Sequence, residues 1–537
     1  MGGRHLDQHS HGHRSLQHPR SRRRILCVFP RYSPSFGTFQ YAYSLMPRVK
    51  AFMPPQGLLL IAAYLPAAWE VRFVDENMWP ASEADYAWAD AVLISGMHVQ
   101  RSAIQAVNDA AHRHGRITVL GGPSVSSAPA YYPDVDLLHV GELGDATDAL
   151  IARLDASVER PARQERFDTV QRLAMTEFPV PAYDLVDLSR DFIASIQFSS
   201  GCPYQCEFCD IPQLYGRRPR LKSPEQITAE LDAIVAAGGI GGVYFVDDNF
   251  IGNRKAAREI LPHLVQWQRT RGYPVEFACE ATLNLAQQTR LLEMMREAHF
   301  TTVFCGIETP EPEALRAMRK QQNLRQPMVE AVRKLNSFGI EVVAGIILGL
   351  DTDSSATTDS ILTFIRESQI PMLTINLLYA LPRTPLYERL QAAGRLESDP
   401  RRASNVVFQL PDEEVIGMWS RCVAQAYEPA NLYRRFAYQT EATFPNRLWP
   451  RREVKASQVA FGMRVLARVL WQVGWRADYR PAFWEVAGPL LRAGRIEEVI
   501  HIGLVSHHLV RFARDALAGR GEACFYADPN QSAHPAV

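Results

Sequence analysis

Three closely spaced cysteines carry the most specific chemistry in this chain. Cys202, Cys206 and Cys209 follow the pattern C-x-x-x-C-x-x-C. Thiolates select zinc or iron–sulfur clusters, and a cube-shaped cluster normally takes four of them. Zinc is less favoured, because zinc sites usually join a C-x-x-C pair to a second ligand pair, and no such pair is evident downstream. The spacing therefore predicts an iron–sulfur cluster in which one iron has no protein ligand.

The other cysteines are isolated in the sequence. Two of them, Cys279 and Cys305, lie in apolar runs that are typical of buried strands. Free cysteine behaves as a small apolar residue and is commonly buried. We therefore expect core positions for all five: Cys27, Cys279, Cys305, Cys422 and Cys524.

The cysteine segment resembles that of the radical S-adenosylmethionine (SAM) enzymes, which have an aromatic residue before the last cysteine, here Phe208. The resemblance implies a [4Fe-4S] cluster on Cys202, Cys206 and Cys209 whose open iron binds SAM, with Phe208 against the adenine. A packed loop aromatic is the alternative for Phe208. A cluster with a potential on the order of −400 mV or below can reduce the sulfonium. The 5′-deoxyadenosyl radical so released removes hydrogen from unactivated carbon.

Length and composition set the broad class. A chain of 537 residues is too long for one core and indicates two or three domains. Lys plus Arg and Asp plus Glu both total 58, so the net charge gives no support for a nucleic-acid partner. Residues 1–23, rich in His, Ser and Arg, predict a disordered extension. No apolar run is long enough to span a bilayer, and reduced thiols indicate the cytoplasm.

Residues 24–154 alternate short apolar runs with amphipathic stretches, which predicts a doubly wound parallel sheet. Ligands of such sheets bind at the carboxyl ends of the strands. Small residues there would let a large cofactor approach the backbone. The strand ends carry these six residues: Ser95, Gly96, Gly121, Gly122, Gly141 and Glu142.

Together with the cysteine segment, this region resembles the cobalamin-binding domain of B12-dependent radical SAM enzymes. The resemblance implies cobalamin at the six strand-end residues. The D-x-H-x-x-G motif that supplies a histidine to cobalt in many B12 proteins is absent. We expect His98 to face solvent or to begin a helix, and no histidine to lie below the cobalt.

The rest of the chain divides into three parts. Residues 155–190, interrupted by Pro179 and Pro181, form a linker. Residues 191–399 contain six alternating strand and helix patterns, which predict the partial (β/α)6 barrel that the radical SAM resemblance also implies. Residues 400–537 are mainly helical.

Catalytic groups of such barrels come from the carboxyl ends of the strands. The second strand ends in Asp247 and Asp248, where the family contacts the SAM amino group; helix capping is the alternative for Asp248. Glu308 ends the fourth strand, and its partner is the SAM ribose, the SAM ammonium or a structural Arg. Gly345 and Gly349 resemble the segment that lines the adenine pocket, although strand glycines also mark bulges.

Basic and aromatic residues are frequent in two further segments. Arg217, Arg218 and Arg220, after the cysteines, predict a solvated basic turn. The C-terminal helices interleave tryptophans with arginines. Solvated faces over an apolar core are favoured for these helices, and contact with an anionic membrane surface is the alternative.

The three-part arrangement resembles the hopanoid C-2 methylases. The residues that carry this closer likeness lie in 27–39, 95–100 and the cysteine segment. The resemblance implies methylation of C-2 of a hopanoid by way of the 5′-deoxyadenosyl radical and methylcobalamin. It also implies a reduced donor such as ferredoxin or flavodoxin, and peripheral contact with the inner membrane face. The alternatives are a B12-dependent radical SAM enzyme acting on a tetrapyrrole or natural product, and a non-catalytic iron–sulfur redox protein.

Overall fold

The structure, a computed structural model, describes most of the chain. The described residues are 21–238, 241–397, 399, 402–450, 456–521 and 523–524. Residues 1–20 of the predicted extension therefore lie outside them.

An N-terminal six-stranded parallel sheet has the strand order β2-β1-β3-β4-β5-β6. Its strands are β1 Arg24–Phe29, β2 Glu70–Asp75, β3 Ala91–Ser95, β4 Ile117–Gly121, β5 Leu137–Val140 and β6 Glu165–Asp168. Its helices are α1 Gln40–Tyr43, α2 Gln56–Tyr64, α3 Glu83–Trp88, α4 Arg101–Arg113, α5 Pro123–Ser127 and α6 Asp145–Ala156. Apolar clusters cover both faces of the sheet, as a doubly wound fold requires.

The edge strand β6 falls within the predicted linker. Its sequence, Glu-Arg-Phe-Asp, has no apolar run, and it is half exposed because only one neighbour pairs with it. A strand of this kind has no hydrophobic signal that distinguishes it from a loop.

A second six-stranded parallel sheet follows, with the sequential order β14-β13-β12-β11-β10-β7 of a partial barrel. Its strands are β7 Ala194–Ile196, β10 Gly241–Phe245, β11 Val275–Glu280, β12 Phe300–Glu308, β13 Glu341–Leu348 and β14 Met372–Leu377. A short antiparallel pair, β8 Ser199–Ser200 and β9 Arg220–Leu221, lies outside this sheet. The helices of this part are α7 Ile211–Leu214, α8 Pro224–Ala236, α9 Arg254–Arg271, α10 Thr289–Glu297, α11 Pro312–Ala317, α12 Met328–Asn336, α13 Thr357–Ser368 and α14 Pro385–Ala392.

The C-terminal region is helical, as predicted, and the predicted α/β fold class is confirmed. Its helices are α15 Asp412–Ala426, α16 Pro429–Ala442, α17 Ala456–Trp471, α18 Arg480–Arg492 and α19 Ile496–Leu517, with a π-helical turn at Gln472–Arg476. The longest, α19, is buried along most of its length. Its His508 Nε2 lies 3.1 Å from the carbonyl oxygens of Ser35 and Phe36, so α19 also joins the N-terminal part.

Close packing of α17 on α19 gives a test of this arrangement. A methyl group added at Gly503 would overlap the Cγ1 atom of buried Val469, so we expect Gly503→Ala to lower the free energy of unfolding by about 1–3 kcal/mol. Gly417, inside α15, has open space around it, and Gly417→Ala should raise that free energy by about 0.5–1 kcal/mol. Denaturant unfolding of both variants measures the difference; equal effects would contradict the packing.

Candidate functional site

One large cavity of about 1420 Å³ lies between the carboxyl ends of the two sheets and continues through the barrel to the starts of its strands. All six strand-end residues predicted in the N-terminal sheet line it: Ser95, Gly96, Gly121, Gly122, Gly141 and Glu142. From the barrel side it is lined by Phe208, Cys209, Asp248, Glu308 and Gly345. The structure therefore brings most of the sequence-predicted residues to one site, but Cys202, Cys206, Asp247 and Gly349 do not line it.

The three cysteines lie on a loop closed at its base by the β8–β9 pair. The loop is held by its own backbone: the Cys202 amide donates to the Gly216 carbonyl at 3.1 Å. The Gln322 side-chain amide donates to Cys206 Sγ at 3.4 Å. Burial raises the pKa of Cys202 to about 11 and that of Cys209 well above its ordinary value. Because desolvated thiolates are unstable alone, this loop suits cysteines that bind a cationic metal centre.

The donor set fits an iron–sulfur cluster better than a zinc ion. The cysteine loop offers three thiols, from Cys202, Cys206 and Cys209. A zinc site needs four ligands around one ion, whereas a cluster takes its ligands on separate irons. The other five cysteines are buried, as predicted, and all eight are free of disulfides.

A buried ion pair lies beside the cysteine loop. Lys320 Nζ donates to Glu308 Oε1 at 2.6 Å, and the ammonium lies 5.6 Å from the centre of the Phe208 ring. Burial opposes the charge of Lys320, but attraction by Glu308 and Cys206 outweighs it and raises the pKa to about 12. Glu308 has a left-handed φ of 66°, where β12 loses its regular pairing with β13. Such backbone strain in a non-glycine residue is typical of functional sites.

The two aspartates after β10 have different surroundings. Asp247 accepts hydrogen bonds from the amides of Phe198 and Ser199, so its carboxylate fixes the end of the first barrel strand. Asp248 lines the cavity and accepts from the Gly201 amide at 2.6 Å. Burial raises the pKa of Asp247 to about 6 and that of Asp248 to about 7. The alternative of helix capping by Asp248 is wrong, because Asn253 caps α9.

Sequence reasoning missed Glu280, at the end of β11. It lines the cavity beside Tyr244, and burial together with repulsion by Asp248 and Asp247 raises its pKa to about 8. The sequence feature that could have identified Glu280 is the one that pointed to Glu308, namely a glutamate that ends a buried strand. Lys320 and Gln322 were also missed, because neither occurs in a motif that points to the cysteines.

The two glycines predicted near adenine have separate roles. Gly345 lines the cavity from the middle of β13. Gly349 has a φ of 90° and packs closely against the Phe408 ring, so a side chain there would displace the ring. Its amide donates to Asp353 at 2.7 Å. The adenine contact of Gly349 stays a prediction, and the observed need for glycine comes from this turn.

The strand-end residues of the N-terminal sheet are held by the protein itself. Gly122 has a φ of 96°, and a side chain there would overlap Ser95 Oγ, so glycine is required whether or not a cofactor approaches. Glu142 pairs with Arg220 and, at 3.2 Å, with Arg172. The prediction of a solvated turn is therefore wrong for Arg220, whereas Arg217 and Arg218 are exposed.

Two histidines lie near these turns. His98 begins a 3₁₀ helix, as expected, but it is buried, and its Nδ1 lies 3.1 Å from Ser124 Oγ. His139 lines the cavity, and its Nε2 is bonded to Thr147 Oγ1 at 2.9 Å. The absence of a histidine below the cobalt stays a prediction.

Residues 196–365 match the radical SAM superfamily, and residues 384–521 match a domain of unknown function, DUF4070. The chain is 56% identical over 507 residues to the hopanoid C-2 methylase of Rhodopseudomonas palustris (strain TIE-1), covering 94% of this chain and 96% of that protein. OxsB, a cobalamin-dependent SAM radical enzyme solved with aqua-cobalamin and SAM, has a TM-score of 0.59 at 14% identity, covering 91% of this chain and 80% of that chain. TsrM from Kitasatospora setae, a radical SAM methyltransferase solved with cobalamin and a [4Fe-4S] cluster, has a TM-score of 0.57 at 14% identity. The match covers 88% of this chain and 100% of that chain.

The barrel, the cysteine loop and the superfamily match define the class: this is a radical SAM enzyme. Within that class, the chain belongs to the hopanoid C-2 methylase family. The family match confirms the predicted resemblance and the prediction of a radical SAM methyltransferase. The predicted cofactors agree with those named for OxsB and TsrM, whose likeness to this chain is one of fold.

The Lys320–Glu308 pair gives a test of the site. Replacing Lys320 by Met leaves the buried Glu308 carboxylate without its cation, so we expect the free energy of unfolding to fall by about 3–5 kcal/mol. Adding Glu308→Gln to that variant should recover much of the loss. Anaerobic urea unfolding measures both.

A matched control is the exposed pair Lys255–Glu259, whose charged atoms lie 3.9 Å apart. Lys255→Met should leave the unfolding midpoint unchanged, since exposed pairs contribute little. A Lys320→Met variant as stable as this control would contradict a buried, paired charge at the site.

Proposed function

We propose that the protein is a cobalamin-dependent radical SAM methyltransferase that methylates C-2 of a hopanoid. The observation that carries this proposal is the single cavity, which joins Cys209 of the cysteine loop to Ser95, Gly121 and Gly141 of the N-terminal sheet. A methyl donor held at the sheet and a radical generated at the loop would both face one substrate. The family match supports the choice of reaction and of substrate.

Residues of this chain can hold each cofactor. Cys202, Cys206 and Cys209 would ligate the [4Fe-4S] cluster, and the strand-end residues of the N-terminal sheet would line the cobalamin site. When bound, the cluster and SAM supply a 5′-deoxyadenosyl radical that removes hydrogen, and cobalamin supplies the methyl group.

The charges of the cavity suit SAM, a cation at its sulfonium and ammonium. Asp248 and Glu280 line the cavity as half-buried carboxyls, and Glu308, which is buried, adds a third beside the cysteine loop. Burying carboxylates without a cation is costly, so a bound ammonium group would stabilise them. Asp248, rather than Asp247, is the favoured partner, because Asp247 is already bonded to two backbone amides.

The cavity also suits a bulky apolar substrate. Apolar side chains from three parts of the chain line it, among them Met46, Phe52, Phe192, Leu504 and Leu509. The carbon to be methylated has no acidic proton, so the carboxyls serve binding rather than proton abstraction. Residues that exclude water around the reacting carbon protect a radical from side reactions.

A reduced donor such as ferredoxin or flavodoxin would supply electrons. A lipid substrate implies that the enzyme acts at the cytoplasmic face of a membrane. Among the residues that the structure describes, no helix is both long and apolar enough to span a bilayer. Access to the lipid therefore requires contact with the membrane surface, which we include in the proposal.

Replacement of one cluster ligand tests the chemistry. We expect Cys206→Ala to abolish the iron–sulfur absorption and EPR signals and the cleavage of SAM to 5′-deoxyadenosine, because two thiolates do not hold the cluster. Cys422→Ala, which changes a buried cysteine in α15, serves as the control and should retain both. Retention of the iron–sulfur signals or of SAM cleavage in Cys206→Ala would require another ligand assignment.

Lipid analysis tests the substrate. Expression of the chain in cells that make hopanoids but not 2-methylhopanoids should produce 2-methylhopanoids, and the Cys206→Ala variant should produce none. An unchanged lipid profile, together with SAM cleavage by the purified protein, would remove the hopanoid and keep the radical chemistry.

A further inference from the structure

Helix α17 has an exposed apolar stripe. Val459, Met463, Ala467, Trp471 and Trp475 recur every four residues and form an exposed row that winds along α17 and the following π-helical turn. We call these five residues the α17 face. Trp471 is 59% exposed and Trp475 70%. Large apolar side chains exposed in a contiguous row are unusual on a surface that meets only water.

The α17 face does not contribute to the protein core. The core contacts of α17 come from Val465, Leu466 and Val469, which are buried. Near the C-terminal end of the α17 face, Trp484 packs on Gly474 while remaining 40% exposed. The row of large apolar side chains therefore ends in three exposed tryptophans, a residue that concentrates at membrane–water interfaces.

Positive charge accompanies the apolar row. Arg464, Arg468 and Arg476 each follow a residue of the α17 face by one position, and residues 456–477 contain no Asp or Glu. An apolar stripe flanked by arginines, with no acidic side chain, is the pattern of a helix that lies in the interface of an anionic bilayer. Charge complementarity therefore favours anionic lipid over a neutral surface.

The same helix reaches the cavity. Phe461, between Val459 and Met463 in the sequence, lines the cavity together with Ile500 and Leu504 of α19. One helix thus presents apolar side chains both to the outside and to the substrate cavity. A route between the two would keep an apolar substrate out of water throughout.

The cavity is long enough for a substrate to enter at one end and react at the other. Thr301, near the start of β12, and Glu308, at its end, both line it. Seven residues of strand correspond to about 23 Å. The cysteine loop and the strand-end residues of the N-terminal sheet lie at the carboxyl end of the barrel, whereas Glu276 and Thr301 mark the other end.

We propose that the α17 face seats the enzyme on an anionic lipid bilayer and that the lipid substrate enters the cavity beside Phe461. The second part rests on the proposed function, because it requires a substrate that partitions into membranes. Insertion of Trp471 and Trp475 at the boundary between headgroups and acyl chains would bring the helix close to such a substrate. The arginines would pair with lipid phosphates.

Vesicle binding by the full-length, anaerobically reconstituted protein tests whether the α17 face binds the bilayer. We expect binding to vesicles of mixed phosphatidylcholine and phosphatidylglycerol, and much weaker binding to pure phosphatidylcholine. The double variant Trp471→Ser/Trp475→Ser should lose at least about tenfold in partition coefficient. The matched control is Trp79→Ser, which removes an exposed tryptophan of the N-terminal part and should bind like the parent.

Charge reversal tests the lipid class. Arg464→Glu/Arg468→Glu should abolish the preference for phosphatidylglycerol. Arg333→Glu/Arg366→Glu makes the same change in net charge with exposed arginines of α12 and α13, and should retain that preference. The proposal is overturned if the parent does not bind anionic vesicles or if the tryptophan variant binds them like the parent. It is also overturned if the two double arginine variants have the same preference for phosphatidylglycerol. Circular dichroism and SAM cleavage verify that each variant is folded.

Substrate entry has a separate readout. In the tryptophan variant, methylation of a hopanoid embedded in vesicles should fall at least about tenfold, while methylation of the same hopanoid dispersed in detergent should remain. Equal loss in both formats would overturn entry at Phe461. If the parent binds vesicles but methylates no hopanoid in either format, the proposed function is wrong, whereas membrane binding by the α17 face is retained.

Discussion

The carboxylate of Glu142 joins the N-terminal sheet to the base of the cysteine loop, on which the site depends. It follows β5 of the N-terminal sheet and pairs with Arg220 of β9, the strand that closes the cysteine loop. Arg172 and Ser200 bind the same carboxylate at 3.2 and 3.0 Å. Because this group is largely buried, its attraction to the arginines is weakly screened by solvent. One charged cluster thereby links the glycine turns to the cysteine loop.

A second connection comes from the segment after the sixth barrel strand. Arg383 donates to the Ser126 carbonyl at 2.7 Å, and the Ser126 hydroxyl accepts from the Gly141 amide at 2.9 Å. Arg383 has a left-handed φ of 66°, which directs this turn towards the N-terminal sheet. The barrel is therefore attached beside two of the turns that line the cavity, so methyl donor and radical source would be held at a fixed separation.

The sequence allowed the strands to be predicted well and the polar contacts poorly. The alternating apolar runs of residues 24–154 form strands of the N-terminal sheet, and the six predicted strands of the barrel are present, because parallel strands buried on both faces are continuous apolar runs. The half-exposed β6 has no such run and was missed. Glu142 was predicted as a cofactor contact, but its partners Arg220 and Arg172 are distant in sequence. Pairings of this kind depend on tertiary structure, and spacing does not encode them.

Burial explains why the site needs its cofactors. Asp248 and Glu280 lie in a cavity that raises their pKa values to about 7 and 8, and the cysteine thiols beside them are desolvated as well. Without cationic partners, these groups are most stable when protonated. Iron on the thiolates and an ammonium among the carboxylates would stabilise the charged forms. The partly apolar cavity proposed for the substrate therefore also holds carboxyls that a cation would stabilise in their charged form, so the two requirements of the proposed reaction meet in one cavity.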